Sequence, residues 1–140
     1  MSTRANIIIK DETATLYVYR HSDGYPECTG ADLKEFVADY ESGAMRTNVQ
    51  QSAGWLFVRG HYEYKSPVLS PRPDPSDRFS GWKCGAYEPT TQLHGDAEYI
   101  YIIDLVKRTL TCRVPKGNGF WDNPTLEATK ACSKFKTVRF

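Results

Sequence analysis

The run from Glu98 to Leu105, Glu-Tyr-Ile-Tyr-Ile-Ile-Asp-Leu, constrains the fold of this chain more than any other segment. Tyr99 to Ile103 are all aromatic or β-branched, and such side chains favour a pleated surface over a helix. Strand periodicity puts Tyr99, Tyr101 and Ile103 on one face and Ile100 and Ile102 on the other. A turn at Val106-Lys107-Arg108 leads into a second strand from Thr109 to Val114, and the two predict a hairpin. The start of the chain repeats the pattern. Ile7-Ile8-Ile9-Lys10 reads as a strand and Asp11-Glu12-Thr13 as a polar turn. Ala14 to Arg20 is the returning strand, with Leu16 and Val18 on one face and Tyr17 and Tyr19 on the other.

Between these hairpins the hydrophobic period changes. His21 to Gly30 carries Asp23-Gly24, Pro26 and Gly30 and reads as a loop. Thr29 stands three residues before Asp32, close to a capping box. Leu33, Phe36, Val37 and Tyr40 then recur at helical spacing, with a stop near Ser42-Gly43. A second helix is expected from about Asn48 to Val58, aligned on Val49, Ala53, Leu56 and Phe57, with Gly60 as its stop. Pro67, Pro71, Pro73 and Pro75 make Ser66 to Gly81 a long surface loop, because proline at that density forbids helix and central strand. Lys83 to Gln92 reads as an irregular strand and Thr125 to Cys132 as a short helix. The pattern predicts one α+β domain over residues 1–140: an antiparallel sheet built from two β-hairpins, with two amphipathic helices on one face. The tyrosine-bearing face is then the solvent side or a ligand platform.

Composition narrows the classes. The net charge of +1 supplies no global field toward nucleic acid or anionic lipid, so direct nucleic-acid binding is not favoured. Lys130, Lys134, Lys136 and Arg139 make the last stretch locally basic, as a solvated tail or a phosphate contact. Cys28, Cys84, Cys112 and Cys132 form no Cys-x-x-Cys pair, so neither a metal nor another cofactor is expected. The apolar run near the N-terminus is only Ile7 to Ile9, too short for a signal peptide or a membrane span. A reducing cytoplasm with free thiols is the expectation.

All three histidines precede an acid by two positions: His21-Ser22-Asp23, His61-Tyr62-Glu63 and His94-Gly95-Asp96. In extended chain, residues two apart point the same way, so such a pair suits an oriented imidazole, an acid–base couple or a metal ligand. It equally suits a histidine in a polar turn. His21 and His94 lie beside glycine turns at the ends of the two clearest strands, and converge if those strands are neighbours. The third position is acidic, unlike the Thr or Ser of two-histidine phosphoesterases. No glycine-rich phosphate loop and no nucleophile elbow is present. Trp55, Phe57, Arg59, His61, Tyr62, Tyr64 and Lys65 form an aromatic and basic run that suits base stacking or a core with a basic rim.

The opening Met1-Ser2-Thr3-Arg4-Ala5-Asn6-Ile7 and the string Tyr19-Arg20-His21-Ser22-Asp23-Gly24-Tyr25-Pro26 resemble a family of small uncharacterised phage and prophage proteins. Members tend to begin Met-Ser-Thr-Arg-Ser/Ala-x-Ile and to carry Tyr-x-His-Trp-Asp-Gly-Tyr-Pro after a first hairpin. His94 to Tyr101 is similar to a later Gly-Asp-x-Glu-Tyr segment of that family. Ser22 departs from the pattern where tryptophan is usual, which removes a stacking surface. The resemblance implies a phage-related origin and action in a bacterial host cytoplasm. By analogy with small phage accessory proteins, it implies binding and inhibiting a host defence factor, or sequestering a nucleotide signal, without catalysis. The expected contact residues are Arg4, Tyr19, Arg20, His21, Asp23, Tyr25, His94 and Asp96, with Arg4 and Arg20 meeting anions and Tyr25 offering a stacking face. The alternative is a small phosphoesterase or nucleotide hydrolase using His21 and His94, oriented by Asp23 and Asp96.

Overall fold

The computed structural model describes residues 3–43, 45, 46, 48–64, 87–115 and 120–140, with the backbone alone for 61–64. The proline-rich loop at 66–81, the side chains of His61, Tyr62, Glu63 and Tyr64, and Lys65, Cys84 and Gly117 to Gly119 therefore lie outside the described residues. So does the first part of the strand expected from Lys83.

The chain forms an α+β fold around one six-stranded sheet. The strands are β1 (Ala5–Lys10), β2 (Thr15–Arg20), β3 (Tyr87–Thr90), β4 (Tyr99–Asp104), β5 (Thr109–Val114) and β6 (Ser133–Arg139). Their spatial order is β3-β2-β1-β4-β5-β6. Most neighbours are antiparallel, but β1 and β4 run parallel, with Ile7 opposite Tyr101 and Ile9 opposite Ile103. The sheet is therefore mixed, which corrects the all-antiparallel expectation. The physical reason is in the two central strands. Ile7, Ile8 and Ile9 are all fully buried, as are Ile100 and Ile103, so both faces of this pair are covered. An uninterrupted apolar run is how a parallel, doubly covered strand reads.

One face packs against α1 (Ala31–Glu41) and α2 (Val49–Tyr64). Ala5, Ile7, Ile9, Val18, Tyr101, Ile103 and Leu110 share a core with Leu33, Phe36, Val37 and Tyr40 of α1 and Val49, Ala53 and Leu56 of α2. The helical stripes seen in the sequence are thus the buried ones. The helix starts and stops differ from expectation. Thr29 does not cap α1; its hydroxyl donates to the Asp23 carbonyl at 2.7 Å. A π-helical turn, Pro26–Gly30, already winds the chain into α1 within what the sequence read as loop. Gly60 does not stop α2, which continues to Tyr64.

The opposite face carries a second core of Ile8, Leu93, Ile100, Phe120 and Cys132. Two connections build it. β3 and β4 are separated in the sheet by β2 and β1, so residues 91–98 cross this face to join them. The link from β5 to β6 covers it further and includes the short α3 (Leu126–Thr129). The tyrosines do not share one face: Tyr17 and Tyr19 lie on this side, whereas Tyr101 packs with the helices. The basic C-terminal stretch is not a free tail. It forms β6, paired with β5 across a bulge beside Cys112 and Arg113.

Asp11 ties the β1–β2 turn to α2. Its carboxylate accepts from the Thr13 hydroxyl and amide, the Ala14 amide and the Val49 amide in the first turn of α2. The Thr13 hydrogen bonds lead in lowering its pKa to about 2. A folded pKa below the unfolded one means the ionised form is favoured by folding, so this stabilisation is complete above about pH 5 and lost as pH falls through about 2. Urea unfolding midpoints measured from pH 2 to pH 6 should therefore fall less steeply on acidification in Asp11→Asn than in the parent. Parallel curves would refute this coupling.

Candidate functional site

Tyr19 sits at the end of β2 and projects onto the face crossed by residues 91–98. The crossover passes directly over it. The Asn6 side chain, fully buried on β1, donates to the His94 carbonyl at 2.8 Å and accepts from the His94 amide at 3.0 Å. A side-chain amide here replaces the strand partner that the crossing backbone lacks. His94 consequently lies flat on Tyr19, with ring centroids 3.9 Å apart and planes 18° from parallel. His21, two residues beyond Tyr19, approaches the same ring edge-on at 6.0 Å.

Asp96 closes the arrangement. Both of its oxygens lie within 3.1 Å of the Tyr19 hydroxyl, which donates to them, and one lies 3.4 Å from Arg4 Nε. Burial, followed by the Asp96 hydrogen bond and charge, raises the Tyr19 phenol far above its ordinary range. Tyr19 is thus a protonated donor and not a base. The Thr90 hydroxyl donates its one hydrogen to the Gln92 carbonyl at 2.9 Å, so at 3.1 Å it accepts from His94 Nε2.

The turn is held from below as well. Gly95 has no room for a side chain, since a Cβ there would lie 2.5 Å from the Trp121 carbonyl oxygen. Trp121 Nε1 in turn donates to the Ala97 carbonyl at 3.1 Å. No family model, curated protein or solved structure matches the chain. What the corner does must be read from its own chemistry.

The structure brings together Arg4, Tyr19, His21, His94 and Asp96, and turns Arg20 into the core. Arg20 is 1% exposed and on the helix side of the sheet, where it donates to the Ser22 carbonyl, lies 3.5 Å from Cys28 Sγ and covers the Tyr87 ring at 5.0 Å. It is a core residue and meets no external anion. Asp23 takes a left-handed backbone conformation, φ 58°, and its carbonyl is spent on Thr29. Tyr25 leads into the π-helical turn and is 38% exposed. Neither acid binds the histidine two residues before it: Asp96 pairs with Tyr19 and Arg4, and no hydrogen bond joins Asp23 to His21 among the described residues. Both histidines contact Tyr19, His94 on its face and His21 edge-on.

Asn6, Thr90 and Trp121 were missed as parts of this corner, and of these only Asn6 left a trace in the sequence, as a lone amide beside an apolar run. Among the described residues no cluster of three His, Cys, Asp or Glu side chains suits a metal ion, and no helix is long and apolar enough to cross a membrane.

Proposed function

We propose that this chain is a non-catalytic binding protein that engages a host protein through the corner around Tyr19. The observation that carries this reading is the stack itself. Tyr19 bonds Asp96, and His94, held by Asn6 and Thr90, stacks on the Tyr19 ring, so the surface is rigid. Arg4 and Asp96 are half-exposed there, and His21 is exposed beside them. A pre-organised, mixed-charge surface with an aromatic base suits a protein partner, because little side-chain entropy remains to be lost on docking. The resemblance of the opening residues to phage proteins makes a bacterial defence factor the natural partner and the host cytoplasm the place of action.

The test pairs capture with reconstitution. Immobilised protein incubated with bacterial lysate should retain one host protein that Arg4→Glu and His21→Ala/Asp96→Ala do not retain. The purified pair should then bind with defined stoichiometry in calorimetry, and the variants should weaken binding by about tenfold or more. A partner held equally well by these variants would reject the corner as the interface. Turnover of nucleotides or cyclic dinucleotides that disappears in His21→Ala would establish hydrolysis instead.

A further inference from the structure

On the helix side of the sheet, away from Tyr19, a cavity of about 320 Å³ opens between the start of α1 and strands β4, β5 and β6. That volume is at the lower end of the range for small-molecule sites. Its floor and walls are apolar, with Leu110, Val138 and Phe135 among them, and Phe135 is 60% exposed. The polar atoms at its base carry no free charge. Tyr101 spends its hydroxyl on the Gly24 carbonyl at 2.7 Å, and burial pushes the Cys112 thiol up to about 11, so both stay neutral. The charge is at the mouth, where Lys34 of α1 and Lys136 of β6 meet. Contact with Lys136 lowers the pKa of Lys34. Two cations brought together, with no ion pair to a carboxylate among the described residues, work against folding, and an anion between them reverses the sign of that interaction.

We propose that this cavity binds a small amphipathic anion, its apolar or aromatic body against Leu110, Val138 and Phe135 and its acidic head between Lys34 and Lys136. Glu27 also lines the cavity, about two helical turns before Lys34 on the same side of the chain. Its carboxylate disfavours a second negative charge on the ligand, so the site selects molecules with a single acidic group. This inference is independent of the corner around Tyr19 and lies on the other face of the sheet.

The probe is 1-anilinonaphthalene-8-sulfonate, an aromatic body with one anionic head. The full chain should bind it with enhanced fluorescence, and octanoate should displace it at a far lower concentration than octanol does. Lys34→Ala/Lys136→Ala removes two charge-assisted contacts and should weaken binding by about tenfold or more. Its thermal midpoint should not fall, because the variant relieves repulsion. Ala31→Trp, which fills the cavity from an exposed helix position, should abolish binding while circular dichroism reports the parent fold. Lys107→Ala/Lys130→Ala is the charge-matched control and should bind as the parent does. The proposal is overturned if the probe fails to bind, if Ala31→Trp binds it normally, or if octanol displaces it as well as octanoate does.

Discussion

Gly24→Ala should destabilise the protein by about 2–4 kcal/mol, although it adds a single methyl group. Gly24 is buried where the chain leaves β2. A Cβ at this position would stand 2.8 Å from the Ala5 Cβ, 2.9 Å from the Arg4 carbonyl carbon and 3.0 Å from the Ala5 nitrogen. None of these is the end of a flexible side chain, so the strain cannot be relieved by a rotamer change. The backbone must separate instead, and two hydrogen bonds depend on its place. The Gly24 amide donates to the Thr3 carbonyl at 2.9 Å, and the Gly24 carbonyl accepts from the buried Tyr101 hydroxyl at 2.7 Å. Overpacking costs about 1–3 kcal/mol, and the two weakened hydrogen bonds together about 1 kcal/mol more. Urea denaturation at neutral pH measures the sum. A loss below about 0.5 kcal/mol would show that the turn shifts freely, and the close approach would then carry no structural weight.

The same glycine shows how far a sequence can be read. Asp23-Gly24-Tyr25-Pro26 looked like a contact loop, because breakers beside a histidine suit one. Its glycine is also required for packing between the end of β2 and the start of β1. The elements with strong local signals were legible: the first two strands, the Tyr99 to Ile103 run, and the stripes of α1 and α2. What escaped is non-local. Nothing near Ile7 announces that it will lie beside Tyr101. β6 was hidden because Lys134, Lys136 and Arg139 are what an exposed edge strand carries, and the same residues read as a solvated tail. His21 and His94 do meet near one tyrosine, but not as neighbouring strand ends, since β1 lies between β2 and β4 and the crossover carries His94 there. The role of Asp96 was not legible, because it depends on residues 91–98 crossing over Tyr19. Arg20 was misassigned because an arginine in a turn region reads as exposed, and the parity of β2 places it inward opposite Ala5.

Arg59→Ala should cost about 2–4 kcal/mol, for an electrostatic reason and not a volumetric one. Asp32, Glu35 and Asp39 lie along one side of α1, and alone they would repel one another. Arg59 of α2 collects all three: its Nη2 reaches Asp32 at 2.5 Å and Glu35 at 2.8 Å, and its Nη1 reaches Asp39 at 3.1 Å. Trp55, one turn earlier on α2, donates to Asp39 at 3.0 Å, and the Tyr87 hydroxyl on β3 donates to Asp32 at 2.5 Å. These bonds fasten α1, α2 and the edge of the sheet together. Arg59 is 17% exposed and Asp32 19%, so solvent does not replace the lost cation well, whereas Glu35 at 75% contributes little. Arg59→Lys should recover only part of the loss, because one ammonium lacks the planar fork that reaches two carboxylates at once. The discriminating measurement is a double-mutant cycle with Asp32→Asn. A coupling energy above about 1 kcal/mol that persists in high salt establishes a partly buried clamp. Additive losses, or a coupling that salt abolishes, would reduce it to surface charges that hold nothing together.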